Sequence, residues 1–169
     1  KEFVIFEADK RLPMFSSIGC PHKCTFCNVQ YKKVQRKSPE VIVDEMQYLV
    51  SIGAENVHLL DDNFNVSESH LFKVLDEMDR RKFSLNWSGR GQVRMSEDMA
   101  KRLSENGFNR IHVRIEALDD KILKFFNKRS SVKQVYKFCE TANRHNIDII
   151  GFFITGAPVE TDEYRAKLP

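Results

Sequence analysis

Polar and apolar positions follow two rhythms along this chain, and the rhythm switches repeatedly. From Asn109 to Glu116 polarity alternates residue by residue, the period of a strand. Leu71, Val74, Leu75 and Met78 recur instead at helical spacing. Read this way, Arg11 to Ser17, Val57 to Leu60, Leu85 to Ser88, Asn109 to Glu116 and Ile147 to Thr155 are predicted strands. Phe3-Val4-Ile5-Phe6 is a further short candidate. Helices are predicted between them. Ser38-Pro39 opens one, with Ser as N-cap and Pro in the first turn. Its apolar face is read as Val41, Ile42, Met46, Leu49 and Val50, and Gly53 ends it. Ser67 and Ser96 cap the next two, and Gly107 closes the second of these. Ser131-Val132-Lys133-Gln134 has the form of a capping box before a last helix.

Strands that alternate with helices imply parallel βα units, which close into a barrel or spread into a doubly wound sheet. Polar residues choose between the two. His112, Arg114 and Glu116 share one strand face, and Asn86, Ser88 and Arg90 share another. A strand covered by helices on both sides reads apolar throughout. One polar face per strand fits a barrel whose lumen takes a polar ligand. The intervening helices argue against an antiparallel sheet wetted on one side. The fold expected is therefore α/β, a partial (β/α) TIM-type barrel of five parallel strands. Its irregular polar motifs all follow strand C-termini, where such barrels carry their sites.

Composition narrows the class. The 169 residues suit one domain, divided here into a linker over 1–11 and a core over 12–169. A net charge of +3 is too mild to point to nucleic acid, so Lys32-Lys33, Arg36-Lys37 and Arg80-Arg81-Lys82 are read as solvated surface. No apolar run is long enough for a membrane span, and no signal peptide is visible. Three of the four cysteines fall in one loop, which speaks against a disulfide framework and for a reducing cytoplasm. The chain starts at Lys1 rather than Met and is expected to be a segment of a longer protein.

That loop, Cys20-Pro21-His22-Lys23-Cys24-Thr25-Phe26-Cys27, carries the chemistry. Three thiolates so close suit an iron–sulfur cluster, with one iron left open to a non-protein ligand. A zinc site completed by His22 is the alternative. The polar loop residues argue against plain buried cysteines. Cys139, on a helical stripe with Val135 and Ala142, is read as structural. His58 and His112 are read as hydrogen-bonded barrel residues, His70 and His145 as helix surface.

The Cys-x-x-x-Cys-x-x-Cys spacing, with Phe26 before the third cysteine, resembles the signature of the radical S-adenosylmethionine (SAM) superfamily. Ser17-Ile18-Gly19, Ser38-Pro39-Glu40, Asp61-Asp62-Asn63-Phe64, Gly107, Ile115-Glu116 and Gly156-Ala157-Pro158-Val159-Glu160-Thr161 extend the resemblance over roughly Leu12 to Tyr164. It is similar above all to the group associated with cobalamin-binding domains. The resemblance implies a [4Fe-4S] cluster on Cys20, Cys24 and Cys27, and SAM chelated to the open iron and cleaved to methionine and a 5′-deoxyadenosyl radical. It implies that Phe26 packs over cluster or adenine, and that Asp61 or Asp62 meets the SAM ammonium, with Asn63 grouped among the cofactor contacts; for the two acids a cap on the loop backbone is the plain alternative. Arg90 is grouped with these contacts, Arg114 is assigned to the SAM carboxylate and Glu116 to the ribose. Gly156 and Pro158 would shape the turn beside the adenine. An internal Arg114–Glu116 ion pair is the plain alternative.

The chain departs from the family pattern at three places. Asp61-Asp62-Asn63 stands for Gly-Gly-Glu, Arg114-Ile115-Glu116-Ala117 for Gly-x-Glu-Ser, and Val159 for a glycine. Family cores have about six strands, so a sixth is expected beyond Pro169, and a cobalamin domain is not expected within this chain. Cobalamin-dependent methyl transfer is the preferred reaction, with cyclisation, oxidation and methylthiolation open. A non-catalytic metal-binding module or inactive fragment is the reading from another class. The partners expected are a small-molecule or peptide substrate and an external electron donor, with no membrane and no nucleic acid.

Overall fold

The computed structural model describes residues 10–167, so the short strand expected at Phe3 to Phe6, and most of the linker expected over 1–11, lie outside the described residues. Five strands form one parallel sheet: β1 (Arg11–Met14), β4 (Asn56–Leu59), β5 (Asn86–Gly91), β6 (Phe108–Glu116) and β7 (Asp148–Phe153), in that spatial order. Each strand is the neighbour of the one before it. Right-handed crossovers in sequential order put every helix on the same side of the sheet, the arrangement of a barrel wall and not of a doubly wound sheet.

The helices follow their caps. α1 (Pro39–Ser51) begins at Ser38, α2 (Glu68–Arg80) at Ser67 and α3 (Glu97–Glu105) at Ser96, and each serine hydroxyl accepts a backbone N–H of the first turn. After β6 come a short α4 (Asp120–Phe125), capped by Asp119, and α5 (Val132–Arg144) with the expected Ser131/Gln134 capping box. α6 (Asp162–Arg165) is a single turn. In α1 the buried face is Ile42, Val43 and Met46, whereas Val41 and Val50 are exposed. At 3.6 residues per turn Val41 lies about 140° around the helix from Met46, so it cannot share that stripe.

Strand residues on the helix side make the core. Val57, Leu59, Trp87, Ile111, Val113 and Ile115 pack against Met46, Leu75, Met78, Met99, Leu103 and Phe138. The other face carries His58, Ser88, Arg90, His112, Arg114 and Glu116. Alternation in β5 and β6 therefore sorts the side chains as their sequence suggests, polar to the lumen and apolar under the helices. Gly107 is needed where α3 turns into β6. Its φ is +81°, and a Cβ there would lie 2.1 Å from the Leu85 carbonyl oxygen.

One feature was not expected. The first strand does not run from Arg11 to Ser17. It breaks after Met14, and Ser17–Ile18 (β2) pairs antiparallel with Gln35–Arg36 (β3). This two-stranded clasp closes residues 19–34, the cysteine loop, into an excursion with a fixed base.

Candidate functional site

The base of the cysteine loop is held by carboxylates from the end of β4. Asp61, fully buried, accepts the Ser16 N–H at 2.8 Å, the Ser16 hydroxyl at 2.6 Å and the Ser17 hydroxyl at 2.5 Å. Asp62 accepts the Gly19 N–H at 2.8 Å. Of the two readings open for these acids, the cap on the loop is the one formed. Gly19 has φ +99°, and a Cβ on it would press on the carbonyl oxygens of Tyr31 and Lys33 at 2.8 and 2.7 Å. The Cys20 N–H donates to the same Tyr31 oxygen at 2.9 Å. The tip of the loop is held from the far side of the chain. Thr25 N–H donates to Phe126 O at 3.1 Å, and the Asn127 amide donates to Lys23 O at 2.7 Å.

Asp61→Ala is expected to remove three hydrogen bonds to one buried side chain. Bonds to charged groups contribute about 1.5–3 kcal/mol each and do not add fully, so the expected loss is roughly 3–5 kcal/mol. Urea unfolding measures it. A loss below about 1 kcal/mol would show that the clasp holds without Asp61.

Between loop and sheet lies a cavity of about 340 Å³. Cys20, Cys24 and Cys27, all free thiols, line it together with His22, Phe26, Asn63, Gln92, Arg114, Glu116 and Lys128. The Cys27 N–H donates to Cys24 O at 3.1 Å, which fixes the turn between those two thiols. Burial raises the Cys24 pKa, Cys27, Cys20 and Glu116 add to the shift, and Lys128 opposes it. Phe26 is 41 % exposed and lines the cavity, and Phe126, outside the lining, meets it edge-on at 5.1 Å.

Three buried polar atoms of the lining have no hydrogen-bond partner: His22 Nε2, Asn63 Oδ1 and Ser130 Oγ. Buried polar groups are nearly always partnered, and a cluster of exceptions in one cavity marks a ligand's place. Asn63, 1 % exposed, therefore presents the free acceptor that Asp61 and Asp62 do not. Burial first, then Arg129, Lys128 and Arg114, lower the pKa of His22, and the Gln92 side chain beside its ring opposes them. The donor set also fits a cluster better than a single ion. Among the described residues no three His, Cys, Asp or Glu side chains converge closely enough to hold one metal ion. Tetrahedral zinc needs thiolates about 3.8 Å apart, from a zinc–sulfur bond of about 2.3 Å, while a four-iron cluster takes each thiolate on a separate iron.

Glu116 sits where β6 leaves its register with β7. Its φ is +70°, unusual for a residue with a side chain, and the pairing shifts between Arg114 and Glu116. The bulge turns the carboxylate into the cavity at 2 % exposure. Its partner is Lys128, whose Nζ lies 3.2 Å from Glu116 Oε1 and donates to Arg114 O at 2.9 Å. The Arg114–Glu116 ion pair raised as an alternative is not formed, and Arg114 donates instead to the Asp62 carbonyl. Lys128 had no signal in the sequence beyond one more basic residue in a helix–helix connection.

Other expected site residues stand apart from this cavity. Arg90 is exposed on the lumen face of β5 and does not line it. The glycines on either side of it have packing reasons: a Cβ on Gly91 would lie 2.8 Å from Asn65 Oδ1, and one on Gly89 3.2 Å from Phe64. Gly156 and Pro158 also lie outside the lining; the Gly156 and Ala157 N–H groups donate to the Glu160 carboxylate at 2.8 and 3.1 Å. Cys139 packs, partly buried, against the core. His58 shares a hydrogen bond with Ser88, while His112 Nε2 has no partner. His70 is not plain helix surface, since its Nε2 is buried without a partner, and His145 meets Glu97 at 3.0 Å. Among the described residues no helix is long and apolar enough to cross a membrane.

Comparison with known proteins agrees with this geometry. An uncharacterized methyltransferase of Pyrococcus horikoshii is 28 % identical over 155 residues, covering 89 % of this chain and 34 % of that protein. A tRNA-2-methylthio-N(6)-dimethylallyladenosine synthase of Hydrogenobaculum sp. is 26 % identical over 158 residues, covering 86 % of this chain and 36 % of that one. The chain thus spans about a third of the length of these relatives. Among solved structures, the radical SAM methyltransferase TsrM of Kitasatospora setae, with cobalamin and a [4Fe-4S] cluster bound, shares the fold. It superposes with a TM-score of 0.82 at 20 % identity, over 90 % of this chain and 30 % of that one. The family model of the radical SAM superfamily matches residues 14–168, and the chain belongs to that superfamily.

Proposed function

We propose that this chain is the core of a radical SAM enzyme that binds a [4Fe-4S] cluster on Cys20, Cys24 and Cys27 and SAM in the adjoining cavity. The observation that carries the reading is the sharing of one cavity by three free thiols, three unpartnered polar atoms and a buried carboxylate. When bound, the cluster supplies the one-electron chemistry that splits SAM. The protein's part is to hold and to exclude. Asp61 and Asp62 fix the loop base, and Asn127 and Phe126 fix its tip. Asn63 Oδ1 offers an acceptor to an ammonium, and Arg114 offers a cation to a carboxylate. Glu116 offers a carboxylate to vicinal hydroxyls, with Lys128 holding it in place. Phe26, backed by Phe126, supplies an apolar part of the wall.

For the reaction we favour methyl transfer with cobalamin held outside these residues, which the similarity to the Pyrococcus methyltransferase and the TsrM fold supports. Methylthiolation is the second reading, favoured by the similarity to the methylthio synthase. A cytoplasmic setting and an external electron donor belong to the same proposal.

Anaerobic reconstitution with iron and sulfide tests it. One four-iron cluster per chain is expected, and its reduced electron paramagnetic resonance signal is expected to change on adding SAM. Zinc at full occupancy with no iron uptake, or a signal indifferent to saturating SAM, would overturn the assignment.

A further inference from the structure

The lumen face of the sheet carries a second group of side chains that the cysteine cavity does not use. His58 on β4 and Ser88 on β5 stand in register and share a hydrogen bond of 2.7 Å. One level further along the strands, Arg90 stands beside His112, and His112 beside Ile150 on β7. The rings of His58 and His112 lie 4.7 Å apart, and Phe152 lies 6.2 Å from His112 on the other side. Ile150 and Phe152 are exposed apolar side chains on this face.

Two polar groups here have no partner among the described residues, one exposed and one buried. Arg90 makes no hydrogen bond or ion pair with any described residue. His112 Nε2 is buried and unpartnered. Among the described residues the charges that act on both rings are positive. Burial, then His112, Arg90 and Arg11, lower His58 to about 4. Burial, then Arg11, Arg110 and Arg90, lower His112. Arg110 is itself paired with Asp148 at 2.9 Å, while no carboxylate of the described residues acts on either imidazole. A guanidinium fork without an acceptor, next to a ring nitrogen without a partner and an apolar wall, is the complement of an organic anion.

We propose that this trough binds the anionic end of the substrate, a phosphate, phosphonate or carboxylate, through Arg90 and His112, with its apolar body lying on Ile150 and Phe152. At about 3.3 Å per residue, His112 lies about 13 Å along β6 from Glu116, so a molecule of that length anchored here reaches the cysteine cavity. Calling the ligand a substrate rests on the radical SAM reading; the anion site itself does not.

The test is a nuclear magnetic resonance titration of histidine-labelled, cluster-free chain with inorganic phosphate, phenyl phosphate and benzoate. Saturable shifts of His112 and His58 are expected at millimolar concentrations, with phenyl phosphate about tenfold tighter than inorganic phosphate. Arg90 is exposed, so Arg90→Gln is expected to keep the fold and to weaken phenyl phosphate about tenfold. Phe152→Ala is expected to weaken phenyl phosphate and leave inorganic phosphate unchanged. Tighter binding of phenyl phosphate than of benzoate assigns the site to phosphorus oxyanions, and the reverse order assigns it to carboxylates. No saturable shift with any of the three, or binding to Arg90→Gln as tight as to the parent, overturns the proposal. Zinc in place of iron at the cysteines would overturn the radical SAM assignment and leave this titration unchanged.

Discussion

Replacing Cys20, Cys24 or Cys27 by alanine is expected to abolish iron and sulfide retention after anaerobic reconstitution, while Cys139→Ala retains the full complement. The three loop thiols line one cavity, and no other cysteine lines it. Alanine at Cys20 keeps the N–H that donates to Tyr31 O, and the loop is anchored through Asp61, Asp62 and Asn127, none of which is touched. Loss of iron is then assignable to the sulfur atom and not to collapse of the loop. Cys139 lies on α5 against the core, and burial, with Glu140, raises the pKa of its thiol. Its removal is expected to cost about 1 kcal/mol of packing. Iron and sulfide analysis with the visible spectrum of each variant decides the matter. Equal loss of iron in Cys139→Ala would make it a ligand and break the three-thiolate arrangement.

Glu116→Gln is expected to lower SAM affinity about tenfold, the factor that corresponds to about 1.4 kcal/mol, without loss of iron. Glutamine keeps the shape and one acceptor but not the charge, and charge-assisted bonds to vicinal hydroxyls are the stronger kind. Lys128 gives this prediction a second arm. Its side chain is 11 % exposed and its ammonium lies 3.2 Å from the carboxylate, and removing one member of a buried pair costs about 3–5 kcal/mol because the other is left unmatched. This pair borders an open cavity, so Lys128→Met is expected to destabilise the chain by about 2–3 kcal/mol. The double variant is expected to be more stable than the sum of the singles predicts, by at least about 1 kcal/mol. Isothermal titration with SAM and urea unfolding supply the two readouts. Normal SAM binding in Glu116→Gln, together with strong coupling to Lys128, would make Glu116 a structural counter-ion only.

What could be read from the sequence was what depends on near neighbours along the chain. Serine caps, the Ser131/Gln134 box and the glycine stops are local hydrogen-bonding and backbone effects, and they stand as written. Alternation in β5 and β6 sorted lumen from core because a strand turns successive side chains to opposite faces. The spacing of three cysteines in eight residues put three thiols on one loop whatever the rest of the chain did.

What the sequence did not reveal depends on residues far apart. Asp61 and Asp62 read either as ammonium ligands or as caps for the loop backbone; only folding, which brings Ser16, Ser17 and Gly19 to them across 43 to 45 residues, selects the cap. The β2–β3 clasp has two residues per strand, too few for any period to register. Alternation put Glu116 on the lumen face, but the bulge and positive φ at its position leave no mark in a period-two pattern. Asn127 and Phe126 meet the cysteine loop across about a hundred residues, a contact that no local pattern encodes. Chemistry that needs a few residue types at short spacing was therefore determined by the sequence alone. The identity of the residues that close around it was decided by the tertiary structure, because burial and counter-charge arise only when distant segments pack.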